Sequence, residues 1–414
     1  MSPDALQGTT LLLGAGASVE AGVPASMGLT QELARRVDEM HGRYQGTSQA
    51  LNIAIGALIA YDTARGGGAF DSVDVERLFS AVQMLGDRDK VEIAPFVANW
   101  SASLDAIGQS PGLPAFFKDR FTRELASPSS FGFERMFRDA VQGLAVDKDS
   151  GPIFRRLETQ MVAALQTALH IEPSAVDYLA PLLNVAERPL RIATLNYDRS
   201  VEILAAREGA SLDTGVDAWT GGFDWEWDPE ADIRLLKLHG SIDWILGSER
   251  AGDGRLAEDK VRVAQDWNAE NLVRGSLALV FGQRGKLRSN GPFLAMLHEF
   301  DSFLSSTEHL AVVGYSFRDD HINAVIRRWF DQRSQPRLTI IDPAIDASQR
   351  YNRSRTNFLQ ELLSAMFVAG LEAQLRPEHR IINSFTGDAL VTLFGDRQLP
   401  PMPIGPTAGA EGAS

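Results

Sequence analysis

Polar and glycine residues follow several short apolar runs of this chain, and they are of the types that bind and transform a phosphate-containing ligand. The first run leads into a glycine turn (residues 14–18, Gly-Ala-Gly-Ala-Ser), whose small residues let the backbone approach a pyrophosphate where a helix starts. Later runs lead into Asn196 and His239. A histidine can accept a proton near neutral pH, and a fixed amide can hold a hydroxyl group or a water molecule. These residues predict a ligand site with acid–base chemistry.

The glycine turn by itself leaves two interpretations open. The third glycine of the dinucleotide fingerprint of dehydrogenases would fall at Val19, and no strand with a terminal Asp or Glu follows about 20 residues later. A hydride-transfer domain therefore fits poorly. A tight turn without any ligand is the simple alternative.

Three further apolar runs strengthen the ligand interpretation, because each ends in polar or glycine residues. Open parallel sheets bind ligands at the carboxyl ends of their strands, so these residues are expected to meet at one edge. The three segments are Thr194-Leu-Asn196-Tyr-Asp198, Lys237-Leu-His239-Gly240 and Gly314-Tyr-Ser316.

The elements that must position these residues follow from the spacing of the apolar runs. Runs at residues 9–13, 190–195, 233–238, 277–281, 310–314 and 338–341 are separated by stretches that are mostly long enough for helices. This pattern predicts an α/β fold with a Rossmann-like, mostly parallel sheet. A large helical insertion is expected after the first strand, turn and helix, because residues 41–188 lack comparable strand signals.

Four regions are predicted on this basis. Residues 1–40 and 189–345 form the Rossmann domain, 41–188 the mainly helical insertion, 346–398 a C-terminal packing segment and 399–414 a disordered tail. The packing segment carries apolar clusters around Leu362 and Leu390. We expect these clusters to pack on the sheet or on another subunit.

Composition narrows the classes of function. The 414 residues include no cysteine, which removes thiol nucleophiles, disulfides and thiolate zinc sites. A net charge of −14 disfavours direct nucleic-acid binding. No apolar run is long enough for a membrane helix and the N-terminus lacks a signal-peptide pattern, so a cytoplasmic protein is expected.

The ordered set of motifs resembles the sirtuin family. The glycine turn with Ala21-Gly22-Val23-Pro24, the three strand-end segments and Ile341-Asp342 occur in the family's order over residues 9 to about 345. The sequences of residues 238–244 (Leu-His-Gly-Ser-Ile-Asp-Trp) and 314–322 are similar to segments of sirtuin-like effectors of bacterial anti-phage defence. Those effectors destroy NAD.

Two departures separate the chain from sirtuins that deacetylate lysine. Those sirtuins carry a four-cysteine zinc module, and this chain has no cysteine. They also follow the Gly-x-Pro with an acidic residue, Phe and Arg, whereas Pro24 is followed here by Ala-Ser-Met-Gly. The resemblance therefore implies NAD as substrate, without zinc or another metal, and makes a protein deacylase or ADP-ribosyltransferase the weaker expectation.

The resemblance also implies roles for single residues. Asn196 and His239 would be catalytic, and Asp198 would fix the nicotinamide carboxamide or the loop around Asn196. The NAD-binding residues would be Gly14, Ala15, Gly16, Ala17, Ser18, Gly22, Pro24, Thr194, Gly314, Ser316 and Asp342, with the glycine turn on the phosphates and Gly314, Ser316 and Asp342 at the adenosine end.

Structural interpretations exist for the same residues. His239 could be a hydrogen-bonded core histidine, and Asn196 could cap a turn. Residues 316–319 read as a capping box with Ser316 as the cap. Asp319, Asp320 and His321 resemble a metal cluster, but all three fall at one helix start, and we expect no metal there.

The function expected from these observations is an NAD glycohydrolase that releases nicotinamide and ADP-ribose and depletes NAD in anti-phage defence, stopping growth as in abortive infection. The alternative is a non-catalytic subunit that senses NAD or ADP-ribose, oligomerises and signals. Since an uncontrolled NADase would harm its host, a homo-oligomer or a regulatory partner is expected. The resemblance implies a HerA-type ATPase or helicase as this partner or, as the weaker expectation, a short Argonaute.

Overall fold

The fold was analysed in a computed structural model, which describes residues 8–40, 46–66, 73–87, 153–185, 187–249, 258–264, 276–279, 291–345, 356–368 and 375–399. The chain divides into two compact units. One combines Met1–Ser26 with Ala168–Ser414, and the other is Met27–Thr167. The sequence-based domain boundaries stay predictions, and the expected disordered tail falls almost entirely outside the described residues.

The first unit is built on a seven-stranded sheet, in which every strand pair is parallel. Its strands are β1 (Thr9–Leu13), β2 (Leu190–Thr194), β3 (Leu212–Asp213), β4 (Ile233–Lys237), β8 (His309–Val313), β9 (Arg337–Ile341) and β10 (Arg380–Ile382). The strand order is β10-β9-β8-β1-β2-β4-β3. This confirms the predicted Rossmann-like, mostly parallel sheet.

The described part of the predicted run at residues 277–281, which ends at Leu279, does not join this sheet. Strand β7 (Ser276–Leu279) instead pairs antiparallel with β5 (Gly240–Glu249), which also pairs antiparallel with β6 (Glu258–Val263). The chain passes directly from β4 into β5 through Gly240, whose φ of 86° only glycine adopts without strain. Because no helical crossover intervenes, β5 starts a small second sheet and does not extend the parallel one.

Burial explains why the central strands read as continuous apolar runs. All five residues of β1 and of β8 are buried, as expected for central strands covered on both faces. The helices of this unit begin and end as follows: α5 (Ser200–Glu208), α6 (Phe293–Ser305), α7 (Asp320–Gln332), α8 (Asn357–Met366) and α9 (Thr386–Phe394), with 3-10 helices at Ala15–Ala21 and Pro173–Asn184.

The C-terminal apolar clusters are buried within this unit. Leu362 and Leu363 of α8 belong to the large core that also holds residues of β8 and β9. Leu390 of α9 is fully buried, while Val391 remains 41% exposed. The clusters therefore do not require another subunit to cover them.

The described part of the second unit is helical, as predicted for the insertion. It contains α1 (Ser26–Glu39), α2 (Thr47–Thr63), α3 (Val75–Gly86) and α4 (Ile153–Ala168). Asp74 caps α3 by accepting a hydrogen bond from the Glu76 amide at 2.8 Å. In neither unit does a described helix have the length and apolar character needed to cross a membrane.

Candidate functional site

Four strand ends meet at one edge of the parallel sheet. The register aligns Leu13 of β1 with Thr194 of β2 and with Val313 of β8, and it aligns Thr194 with Lys237 of β4. The segments that follow these residues therefore start at the same level. The strand order reverses around β1, and open α/β sheets bind ligands at the carboxyl edge beside such a switch point.

The glycine turn packs directly against the turn after β8. The Gly14 amide donates to the Val313 carbonyl at 2.8 Å, and the Gly16 amide donates to the Gly314 carbonyl at 2.9 Å. A Cβ atom on Gly14 would lie 2.6 Å from the Gly314 oxygen, and one on Gly16 would lie 2.7 Å from the Gly314 Cα. Close approach of two backbones thus requires these glycines. Because both amides are directed at carbonyls, phosphate binding by the turn stays a prediction.

The segment after the glycine turn is a 3-10 helix, Ala15–Ala21, that precedes α1. Gly22 ends this short helix with a φ of 85° and donates its amide to the Val19 carbonyl. Pro24 lies between Gly22 and α1. A 3-10 helix and not a regular α-helix follows the turn directly, and the left-handed conformation of Gly22 separates it from α1.

Asn196 is held by the glycine turn. Its Nδ2 donates to the Gly14 carbonyl and to Ser18 Oγ, both at 2.9 Å, and its backbone amide donates to Thr194 Oγ1 at 3.1 Å. A carbonyl oxygen only accepts hydrogen bonds, so the contact with Gly14 sets which end of the amide is the nitrogen. The side chain is 8% exposed. Asn196 therefore presents a fixed amide, as its predicted role requires.

His239 is paired with Asp319, a residue for which the sequence predicts no catalytic role. Its Nε2 lies 2.8 Å from Asp319 Oδ2, and both side chains are 5% exposed. The ring lies beside Tyr197, with a distance of 6.1 Å between ring centroids. His239 is therefore a buried, hydrogen-bonded histidine, as the structural interpretation expected. It also lies beside Tyr197 in the segment of Asn196, as the catalytic interpretation requires.

The capping interpretation of residues 316–319 was wrong in one respect, because Asp319 and not Ser316 caps α7. Asp319 Oδ1 accepts from the His321 amide at 3.0 Å, and Ser316 is exposed. Sequence reasoning therefore missed Asp319. The available signal was an Asp directly before an acidic first turn, which is a common helix start.

Asp198 and Lys237 connect β2, α5 and β4. Asp198 Oδ1 accepts from the Ser200 amide at 3.0 Å, and its carbonyl accepts from Lys237 Nζ at 2.5 Å. Lys237 is fully buried and also donates to Glu202 Oε1 at 2.6 Å. Burial raises the pKa of Glu202 although Lys237 opposes this shift. The sequence predicted no role for Lys237. In the structure it ties the loop of Asn196 and Asp198 to β4.

Tyr178 of the second 3-10 helix secures the segment after the glycine turn. Its hydroxyl donates to the Ala17 carbonyl at 2.7 Å. Burial raises the pKa of this hydroxyl, and the nearby charges of Asp198 and Glu20 raise it further. Tyr178 therefore stays protonated and able to donate.

The residues expected at the adenosine end are less enclosed. Ser316 is exposed, and Asp342 is half-buried with Oδ1 accepting from the Ala344 amide at 2.7 Å. Asp342 thus closes the turn after β9. Among the expected NAD-binding side chains, those of Ser18 and Thr194 accept hydrogen bonds from Asn196.

A metal site and a second cavity were considered as other places for a ligand. Among the described residues, no group of three or more His, Asp or Glu side chains could hold a metal ion. A cavity of about 770 Å³ lies at the opposite edge of the sheet, near Glu308 before β8 and Arg337 of β9. Arg328 and Arg337 in its wall are already paired with Asp301 and Glu308. None of the candidate site residues of the carboxyl edge lines this cavity.

Comparison with known proteins relates part of the chain to a described family. Residues 190–364 match a family model described as a SIR2-like domain. A search of curated proteins found no match. The matched range contains Asn196, His239 and Asp319, and the glycine turn precedes it. SIR2-like domains use NAD, so the match supports a sirtuin-like relationship and NAD-dependent activity in general.

Proposed function

We propose that this chain binds NAD at the carboxyl edge of the parallel sheet and hydrolyses the bond between nicotinamide and ribose. The observation that carries the proposal is that Asn196, fixed against the glycine turn, and His239, paired with Asp319, each lie two residues beyond an aligned pair of strand ends, Thr194 of β2 and Lys237 of β4. Both products, nicotinamide and ADP-ribose, follow from attack by water. Depletion of NAD would then serve anti-phage defence.

The chemistry assigned to each residue follows from the charge that develops. As the bond from C1′ to the nicotinamide nitrogen breaks, its electron pair leaves with nicotinamide and positive charge develops on the ribose. The side-chain oxygen of Asn196 is suited to hold a ribose hydroxyl or the attacking water, because the amide nitrogen is already bound. His239 accepts the proton that water loses as its oxygen bonds to C1′.

Burial supports a shielded reaction centre. Asn196, His239, Asp198 and Ser18 are exposed by 8%, 4%, 4% and 1%. Exclusion of bulk water strengthens hydrogen bonds and charge interactions within such a site. It also means that the loops must part before the nicotinamide end of NAD can reach Asn196.

The test is release of nicotinamide from NAD, resolved by chromatography, with the purified protein alone and with a HerA-type ATPase as the candidate partner. Asn196→Ala and His239→Ala are each expected to fold and to lower the rate by about 10²-fold or more. His170→Ala and Asn357→Ala are matched controls, because both side chains are exposed. Activity within about tenfold of wild type in either site variant would contradict the catalytic role assigned to that residue.

A metal chelator serves as a further arm of the same experiment. The chain has no cysteine, so we expect the rate to be unchanged by the chelator. A reaction that stops with chelator and recovers with zinc would contradict this expectation.

A non-catalytic sensor of NAD or ADP-ribose is the second candidate. The polar atoms of Asn196 and His239 named above are bound within the protein, which also suits a closed binding site. Calorimetric binding of NAD without nicotinamide release, with or without the partner, would favour the sensor.

A further inference from the structure

We propose that Asp319 is the positioning residue for His239, holding the ring in one tautomer and stabilising the imidazolium formed when the ring takes a proton. This inference rests on the proposed function for its kinetic part. Its structural part concerns only the two side chains and can be tested without turnover.

The two oxygens of Asp319 have different tasks. Oδ1 accepts from the His321 amide at 3.0 Å and thereby caps α7, while Oδ2 lies 2.8 Å from His239 Nε2. Capping needs one oxygen, and asparagine caps helices about as well as aspartate. The second oxygen is therefore available to the histidine.

The backbone of Asp319 is fixed by its neighbours. Its amide donates to the Tyr315 hydroxyl at 3.1 Å, and Asn323 Nδ2 donates to the Phe317 carbonyl at 3.0 Å. Phe317 is fully buried with a φ of 56°, a conformation that persists only when surrounding contacts impose it. Asp319 thus belongs to a rigid turn, which is what the orientation of a histidine requires.

The chemistry follows from the contact. A carboxylate only accepts hydrogen bonds, so Nε2 carries the proton and Nδ1 carries the lone pair. Nδ1 is then the nitrogen that takes the proton of the attacking water. The negative charge of Asp319 favours the resulting imidazolium, as the buried Asp does in the triads of serine proteases.

Asp319→Asn separates the two tasks of the residue. The remaining side-chain oxygen can still cap α7, but the new amide nitrogen donates to Nε2 and shifts the ring proton to Nδ1. Asp320→Asn is the matched control, since Asp320 is the exposed neighbour at the start of the same helix. Asp319→Ser caps the helix without any charge and serves if the Asn variant does not fold.

Two readouts are measured on the full-length protein. Nitrogen-15 NMR of histidine-labelled protein, with His239→Ala to assign the signal, is expected to report the Nε2–H tautomer in wild type and Asp320→Asn, and its loss in Asp319→Asn. The kcat for nicotinamide release is expected to fall about 10²- to 10⁴-fold in Asp319→Asn, with KM for NAD changed less than threefold.

The outcomes distinguish this inference from the proposed function. An unchanged His239 tautomer in Asp319→Asn, or a kcat within threefold of wild type, overturns the role of Asp319. A wild-type protein that never releases nicotinamide overturns the proposed function, while the tautomer result still decides whether Asp319 orients His239.

Discussion

At the scale of single residues, the glycines of the site are explained by contact between two backbones. Gly314 has a φ of 61°, and a Cβ atom there would lie 2.4 Å from the Ala17 amide nitrogen. Gly14 faces the Gly314 carbonyl in the same contact. The turns after β1 and β8 can approach only because both positions lack side chains. Asn196 depends on this approach, since it donates to the Gly14 carbonyl.

Gly14→Ala is therefore expected to destabilise the protein by about 2 kcal/mol or more and to lower nicotinamide release, because backbone atoms cannot move aside as a flexible side chain can. Urea unfolding and the chromatographic assay measure the two effects. Gly56→Ala is the control, since a Cβ atom there meets nothing within 4 Å and Gly56 lies inside α2. The control should be neutral or slightly more stable. Equal stabilities of the two variants would contradict this account.

At the scale of elements, a buried histidine joins three central strands at the edge opposite the site. His309 Nδ1 lies 3.2 Å from Thr9 Oγ1 of β1, and Nε2 lies 2.9 Å from Thr339 Oγ1 of β9. Burial lowers the pKa of His309 to about 4, and the charges of Arg337 and Arg380 act in the same direction. The ring is therefore neutral in the folded protein at neutral pH.

This shift predicts a pH-dependent stability. The folded-state pKa lies below the ordinary value of 6.5, so the stabilising contribution is complete above pH 6.5 and is lost as the pH falls towards 4. From pH 8 to pH 5, we expect wild type to lose about 2 kcal/mol more unfolding free energy than His309→Gln, which does not titrate. Urea titrations at both pH values measure the difference. Equal losses in the two proteins would refute a neutral, buried His309.

A second element-scale feature is the buried ion pair beneath the loop of Asn196. Lys237 is fully buried, and its partner Glu202 is 15% exposed. The lysine holds the Asp198 carbonyl as well, so it fixes the loop between β2 and α5. Removal of one member leaves the other charge buried without compensation.

Lys237→Met is expected to destabilise the protein by about 3–5 kcal/mol, and Lys237→Met with Glu202→Gln should recover part of that loss. The pKa of Glu202 is raised in the folded state, so its contribution is complete below pH 4.5 and is lost as the pH rises. Lys237 lowers this pKa in wild type, so its removal raises the pKa further, and the single variant should lose more stability relative to wild type at pH 8 than at pH 5. Arg328→Met, which removes an exposed ion pair with Asp301, should cost about 1 kcal/mol or less. If Lys237→Met lost as little unfolding free energy as Arg328→Met, the buried ion pair would not contribute to stability as argued.

At the scale of the whole molecule, the C-terminal apolar clusters no longer support the expectation of self-assembly. Most apolar residues of α8 and α9 are buried within their own unit, although Val391 stays 41% exposed, so these clusters do not by themselves call for a partner surface. The need to control an NAD-consuming enzyme still supports the proposal of a homo-oligomer or of a HerA-type partner. Such a partner can act only by binding the active arrangement better than the resting one.

We accordingly predict a homo-oligomer in light scattering and a rise in NAD consumption when the partner is titrated. Opening of the loops around the buried Asn196 and His239 is the change that a partner would favour. A variant with His239→Ala, titrated in parallel, controls for NAD loss caused by the partner itself. A monomer that is fully active at every concentration and indifferent to partners would leave this account of regulation without support.

Much of the scaffold could be predicted from sequence because its signals are local. Buried parallel strands are continuous apolar runs, so β1, β2, β4, β8 and β9 were recognisable from a few consecutive residues. The polar residues at their ends were recognisable for the same reason. It was harder to predict which strands share a sheet, and the prediction that β7 belongs to the parallel sheet was wrong. An apolar run does not encode its pairing partner, which depends here on the direct passage from β4 to β5.

The pairings that complete the site were decided only by the tertiary structure. His239 and Asp319 are 80 residues apart in sequence, and Asn196 is 182 residues from Gly14. No local pattern links such positions, because their contact arises from the order of strands in the sheet and the register between them. The sequence by itself therefore determined which residues stand at strand ends. The fold decided that Asp319 faces the histidine, that Lys237 supports the loop of Asn196, and that the two glycine turns bind each other.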